Sequence, residues 1–412
     1  YCKGSYWRIN MDVLTYDEKI PFIDNDEYKI INYIGEGGQA YIYTTTNAKI
    51  IKWYKKEFAS KKMKDNIQKL IKDKSPAPNI TWPLSLTKDY KGSFGYIMPR
   101  IPPSYVSLKK YIYEDKYNLN FEEMVQIAYA TAATFKAIHD KGYVYQDINP
   151  GSIFIDKSVQ KVIICDVDNC NKEGKIFVSG TPTYRAPEIV TGKTNPNLYT
   201  DYYSLGVILF RLFYNDHPLE GKRTWSTPSS DEEEIEFFGK NPLFVCDPIN
   251  LDNGFYKDCT LTVEKRWGRY FPKTLENAFI KTFTTGLIYP QSRLTDQEWM
   301  NVLKQCNNQL VKKKISGVIK QAFFPLSTDK FLKIKMIKRV ILISEYKKIY
   351  AYLFDENAFF TKILFECLEE NKIVVRNDEL FINGFKKNKN DVIILKEHDV
   401  IEYHHIKATV EV

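Results

Sequence analysis

Two stretches decide how this chain is read: Tyr145-Gln-Asp-Ile-Asn-Pro-Gly-Ser-Ile-Phe-Ile155 and Val162-Ile-Ile-Cys-Asp-Val-Asp168. Each sets an aspartate beside a short apolar run of strand type, and Asp147 and Asp166 lie 19 residues apart. Phosphoryl transfer has little covalent chemistry for a protein to do. It needs one carboxylate to orient the attacking hydroxyl and others to hold a divalent cation. Two loop aspartates carried by an antiparallel strand pair supply that set.

Upstream, Ile34-Gly-Glu-Gly-Gly-Gln-Ala-Tyr-Ile-Tyr43 places glycines between two strand-like runs. Backbone without Cβ can approach a triphosphate closely and offer N–H donors. The order strand–glycines–strand excludes the strand–glycines–helix sites that cradle dinucleotides or mononucleotides. Lys52 lies ten residues after Ile42, in the apolar run Ala48-Lys-Ile-Ile-Lys-Trp-Tyr54. From there it would face the glycine loop and reach the phosphates. Downstream come Gly180-Thr-Pro-Thr-Tyr-Arg-Ala-Pro-Glu188 and Thr200-Asp-Tyr-Tyr-Ser-Leu-Gly206.

The 412 residues are too many for one core. Residues 28–53 and 82–100 read as strands, and 57–74 as a lysine-rich helix. Between Phe121 and His139 apolar residues recur at helical spacing, and Gly142 closes that helix. From Phe331 onward short β-type runs dominate, which predicts a separate, mostly β domain. The seven cysteines show no CxxC spacing, which argues against a zinc site and suits a reducing cytoplasm. The net charge of +8 is spread along the chain with no reader motif, so no nucleic-acid partner is expected. No apolar run is long enough to span a bilayer and no secretory leader is visible, so no membrane partner is expected either.

Taken together and in this order, the motifs resemble a eukaryotic-type serine/threonine protein kinase over roughly residues 26–305. The resemblance implies an α+β, bilobal kinase fold. A β-rich N-lobe would span 26–100 and a helical C-lobe 101–312, with an N-terminal extension at 1–25 and a small, mostly β domain at 313–412. It implies ATP with Mg²⁺ or Mn²⁺, and a protein substrate. Asp147 matches the catalytic aspartate, Asp166 the metal-binding aspartate, and Thr181 the threonine that contacts the catalytic aspartate. Glu188 would pair with Arg293, and Asp201 would brace the catalytic loop. Gly35, Gly37, Ala40, Ile42, Lys52 and Met98 fall on nucleotide positions. Phrases such as Gly95-Tyr-Ile-Met-Pro and Ile164-Cys-Asp-Val-Asp-Asn are similar to a bacterial subgroup associated with tellurium-resistance-like gene clusters.

The pattern departs from the family at several points. Ser152 stands where the second metal ligand is an asparagine, with Asp168 or Asn169 as compensating ligands. Asn149 replaces a lysine near the γ-phosphate. The helix glutamate that would pair with Lys52 is missing: family spacing lands on Gln68, and Asp65 lies one turn earlier. Gln146 replaces the arginine that clamps an activation-loop phosphate, which predicts activity independent of such phosphorylation.

Within the last domain, Leu380-Phe-Ile-Asn-Gly-Phe and Leu395-Lys-Glu-His-Asp-Val-Ile resemble the end of a forkhead-associated β-sandwich, with His398 in place of a glycine. The phosphothreonine-reading Ser-Arg-x-x-His signature is absent, so a docking role is expected. Thr227-Pro-Ser-Ser-Asp-Glu-Glu-Glu234 reads as a charged surface loop. The leading expectation is a serine/threonine protein kinase in bacterial signalling or stress response. Two alternatives stand beside it. One is a pseudokinase scaffold, motivated by Ser152, Asn149 and the missing helix carboxylate. The other is transfer of AMP, or phosphorylation of a small molecule.

Overall fold

The computed structural model describes residues 13–311, apart from 25–26, 115–118, 173, 179, 225–230, 256–260 and 269–270. Beyond these it describes 323–324 and a set of strands and turns between 331 and 411.

The N-terminal half of the site is a six-stranded sheet of β1 (Lys19–Pro21), β2 (Glu27–Glu36), β3 (Ala40–Thr45), β4 (Lys49–Tyr54), β5 (Ser85–Leu86) and β6 (Gly95–Pro99), in the order β1-β2-β3-β4-β6-β5. Successive side chains of a strand point to opposite faces, and β4 shows what that achieves. Ile51 and Trp53 join Leu14, Ile20 and Phe22 in one core. Ile50 and Tyr54 join Met63, Ile67, Tyr96 and Met98 in the other. Residues 13–24 of the N-terminal extension therefore belong to this lobe, since they add β1 and three core side chains. Lys52 shares the parity of Ile50 and Tyr54, so its ammonium is delivered to the helix-covered face. Gly95 permits this: a Cβ there would sit 2.6 Å from the Lys52 carbonyl.

Helix α1 (Lys61–Asp73) covers that face, with the Ser60 hydroxyl capping it by accepting from the Met63 N–H. Its buried residues Met63, Asn66, Ile67 and Leu70 follow helical spacing.

The C-terminal half begins with β7 (Val106–Ser107) and α2 (Leu108–Tyr113). Next come β8 (Leu119–Asn120) and α3 (Phe121–Asp140), the latter opened by a capping box of Asn120 and Glu123. Strands β9 (Ile153–Asp156) and β10 (Lys161–Ile164) then pair antiparallel and carry the two diagnostic loops at their ends. Helices α4 (Pro187–Val190) and α5 (Leu198–Tyr214) follow. Every residue of α5 from Thr200 to Tyr214 is buried, and it forms the axis of this lobe. Helices α6 (Asp231–Glu234), α7 (Thr262–Arg266), α8 (Lys273–Phe283), α9 (Thr285–Ile288) and α10 (Asp296–Val311) complete it.

Among the described residues, the strands from Phe331 on form two sheets of seven and three strands, while Phe323–Phe324 pairs with β8. At the expected Asn-Gly turn, Asn383 and Gly384 both take positive φ. The Asn383 side chain accepts from Val400 N–H and donates to Asp399. His398 lies outside the described residues. Among the described residues no helix is long and apolar enough to cross a membrane.

Candidate active site

A cavity of about 640 Å³ lies between the two halves. Its roof is the β2–β3 glycine turn with Gly35, Gly37, Ala40 and Ile42, and its floor holds Asp147, Asp166, Asn169 and Thr181. Lys52 stands at the back. The turn is closed by Gly37 N–H donating to the Ala40 carbonyl at 2.9 Å. Met98 packs in the N-lobe core with Ile50, Tyr54 and Tyr96, beside the cavity and not on its wall.

Asp147 is fixed from one side. Both the Thr181 N–H and its hydroxyl donate to Asp147 Oδ1 at 2.7 Å, so the other carboxylate oxygen carries neither bond. Gly180, at φ +79°, makes the turn that brings Thr181 there. The backbone before Asp147 is held by Asp201, which accepts from Tyr145 N–H at 2.6 Å and Gln146 N–H at 3.0 Å. His139 bridges Asp201 (3.1 Å) and Asp296 (2.6 Å). Burial alone would lower the imidazole's pKa, but the two carboxylate hydrogen bonds outweigh it and raise the pKa to about 10. Glu188 and the buried Arg293 form a two-pronged pair at 2.6 and 2.8 Å.

Asp166 takes a left-handed backbone conformation, φ 56° and ψ 42°, uncommon for a residue with a Cβ. Its side chain is 52% exposed and accepts from Lys52 Nζ at 3.2 Å. Lys52's main partner is Asp168, whose Oδ1 and Oδ2 lie 3.0 and 2.9 Å from Nζ. The Tyr54 hydroxyl donates to Asp168 as well. Burial would strip Lys52 of its proton. The Asp168 charge, aided by Asp166, overrides burial and holds the lysine well above its ordinary range.

Four expected site residues stand elsewhere. Gln68 is exposed: it lies one step off the stripe of Met63, Ile67 and Leu70, and so faces away from Lys52. Asp65 is exposed too. The helix residue that faces the site is Asn66, whose amide donates to the Asp168 and Cys170 carbonyls at 2.8 and 3.0 Å. Ser152, expected to ligate metal, is buried and donates its hydroxyl to the Asn149 carbonyl at 2.9 Å. Asp168, also expected at the metal, has no exposed side-chain surface and both oxygens occupied. Asn169 does line the cavity, and its Oδ1 is buried without a hydrogen-bond partner. The orphaned amide oxygen and the half-exposed carboxylate of Asp166 belong to residues lining the same cavity, a donor set that suits a hard divalent cation.

The segment after Asp166 is braced without a phosphate. The Gln146 amide donates to the Asn169 and Lys175 carbonyls at 3.1 and 2.8 Å and accepts from Phe177 N–H. The acidic run expected as a surface loop ends in a buried residue, Glu234, which pairs with Arg185 and accepts from Thr183 N–H. The first part of that run, 227–230, lies outside the described residues. Tyr54, Asn66 and Glu234 were missed by sequence reasoning. The α1 apolar stripe could have singled out Asn66, as the one polar residue on a buried face.

The family model for the protein kinase domain matches residues 28–316. Among curated proteins, mouse and human serine/threonine-protein kinase 40 are each 27% identical over 118 residues, covering 27% of this chain and 27% of theirs. A Clostridium perfringens protein named "Probable serine/threonine-protein kinase CPE1738" is 24% identical over 209 residues, 48% of this chain and 30% of that protein. The chain thus spans less than a third of the length of these relatives.

Proposed function

Because the chain belongs to the protein kinase domain family, we propose that it transfers the γ-phosphate of ATP to serine or threonine hydroxyls of a protein substrate. The supporting observation is that Asp147, held by Thr181, opens on the same cavity as Lys52 and Asp166. The free oxygen of Asp147 accepts the hydrogen bond of the incoming hydroxyl and aims its lone pair at Pγ. The new O–P bond forms as the Pγ–O bond to ADP breaks, and the hydroxyl proton passes to Asp147. Lys52 and the N–H groups of the glycine turn hold the phosphates. Asp166 and Asn169 would hold Mg²⁺ or Mn²⁺, which when bound neutralises charge on the phosphate oxygens. Of the expected metal residues Asp166, Ser152 and Asp168, this reading keeps Asp166, takes Asn169 as the compensating ligand, and gives Asp168 to Lys52.

The bacterial relative supports the kinase reading alone; a role in bacterial cytoplasmic signalling or stress response is carried only by the sequence resemblance to a bacterial subgroup. The C-terminal sheets, without a phosphate-reading signature, suit a docking module for partner proteins.

The test is incubation with γ-labelled ATP, Mg²⁺ or Mn²⁺ and a generic protein acceptor. Label on protein Ser/Thr, lost by about 10³-fold or more in Asp147→Ala, is expected. Label that persists in that variant would overturn the assignment. Nucleotide binding without label would favour the scaffold reading, and label from α-labelled ATP would favour nucleotidyl transfer.

A further inference from the structure

We propose that Asp168 is the positioning residue for Lys52, doing from the loop after Asp166 what a helix carboxylate does in the resembled kinases. The inference rests on the reading of the cavity as an ATP site.

Three observations carry it. First, α1 has no carboxylate directed at Lys52. Gln68 and Asp65 are exposed, and the residue facing inward is the uncharged Asn66. Second, Asp168 contacts Lys52 through both carboxylate oxygens at 2.9 and 3.0 Å, with no side-chain exposure. An ammonium has three donors. Its hydrogen bonds to Asp168 Oδ1 and Asp166 Oδ1 use two of them, and the third remains for phosphate. Third, Asp168 is itself oriented from two sides. The Tyr54 hydroxyl donates to Oδ2, and Asn66 holds its main-chain carbonyl at 2.8 Å. Tyr54 stands two residues after Lys52 on the same face of β4. Lys52 and Tyr54 therefore converge on the one carboxylate of Asp168, and no helix charge takes part.

A consequence follows for control. The anchor of Lys52 and the metal-facing Asp166 sit two residues apart on one loop. Helix α1 reaches this pair only through the Asn66 amide on the Asp168 carbonyl, so a movement of the helix acts on the lysine through a neutral latch and not through a charge of its own.

The experiment compares ADP with adenosine, which has no phosphates for Lys52 to hold, by calorimetric titration of the full chain. Asp168→Asn keeps the shape and removes the charge. It is expected to weaken ADP binding at least about tenfold while leaving adenosine within about twofold. In a Lys52→Met background the same change is expected to alter ADP binding by less than about twofold, because the partner it acts through is gone. Asp65→Asn is expected to change neither ligand. Unaltered ADP affinity in Asp168→Asn, equal losses in both backgrounds, or a tenfold ADP loss in Asp65→Asn would each overturn the proposal. Should Asp168→Asn alone not fold, with its buried ammonium left unpaired, Lys52→Met and Lys52→Met/Asp168→Asn decide it. Equal ADP affinities support it, and a further drop overturns it. A wild-type chain that binds neither ligand sinks the ATP-site reading instead.

Discussion

The two walls of the cavity are built on different principles. On the Asp147 wall, the braces that the kinase resemblance implies stand where it puts them. Thr181 grips the catalytic carboxylate, Asp201 grips the loop backbone, and Glu188 meets Arg293. On the Lys52 wall, the lysine is in place but its partner has changed address, from a helix to a loop. Glu188 and Arg293 join two side chains, but in the Thr181 and Asp201 braces a carboxylate accepts from main-chain N–H groups of the motifs themselves. Such donors are fixed by the loop's path, and an acceptor must stand at that one point. The Lys52–Asp168 pair joins two side chains across an interface. Any carboxylate that reaches the same point serves, so the sequence position of the partner is free to drift.

The sharpest way to break this comparison is Asp201→Ala. The change removes the acceptor of two buried N–H groups and one partner of the bridging imidazole at once. Leaving buried donors and a charged imidazole short of a partner costs about 3–5 kcal/mol. Phosphotransfer should fall by roughly 100-fold or more, because the Asp147 loop loses its fixed path. Denaturant unfolding and the labelling assay read the two effects. An Asp201→Ala chain with near-normal activity would show that this wall is as interchangeable as the other.

How much of this was legible in the sequence divides along the same line. Asp147, Asp166, Thr181, Glu188, Asp201 and the glycine turn could all be read, because each belongs to a short segment whose residues act together. Arg293 was found too, since its segment has its own pattern. Gln68 was misjudged because residue counting from a distant proline fixes a helix position only to within about a residue, and a step of one rotates a side chain by about 100°. The apolar stripe is the better guide, and it puts Asn66 inward. Ser152 was placed at the metal by its position in the resembled motif, and Asp168 by chemistry alone. Chemistry says which groups can bind a cation, but it does not say that Tyr54 and Lys52 already hold one of them. Glu234 was taken for a solvated charge because the run before it is acidic. Its burial depends on Arg185, which lies 49 residues away.

A milder test concerns His139, which joins the Asp147 wall to α10 through Asp296. Its pKa is raised from the ordinary 6.5 to about 10 in the folded chain. The protonated form is thus favoured by folding, so its contribution is fully present below pH 6.5 and is lost as pH rises through about 10. The size is on the order of a few kcal/mol. Wild type minus His139→Gln stability, measured by denaturant unfolding at pH steps from 6 to 10, should shrink as pH climbs. A difference that stays flat or grows would mean the imidazole is neutral in the folded chain, and that the link between Asp201 and Asp296 is an ordinary hydrogen bond.

The smallest expected effect is the absence of one. In the resembled kinases an arginine before the catalytic aspartate clamps a phosphate on the activation loop. Here Gln146 holds that loop through three main-chain contacts, at the Asn169 and Lys175 carbonyls and at Phe177 N–H. Asn171 adds a bond to the Lys175 carbonyl at 2.9 Å and accepts from Lys175 N–H, also at 2.9 Å. These neutral bonds need no added charge, and they are in place in the unphosphorylated chain. Treatment with a broad phosphatase should therefore change activity by less than about twofold. Gln146→Arg gains a cation but loses the acceptor for Phe177 N–H, and should lower activity by about threefold to tenfold, the effect of one hydrogen bond. A phosphatase-treated enzyme that lost nearly all activity would show that the amide brace does not hold the loop, and that this wall also depends on a partner the sequence does not contain.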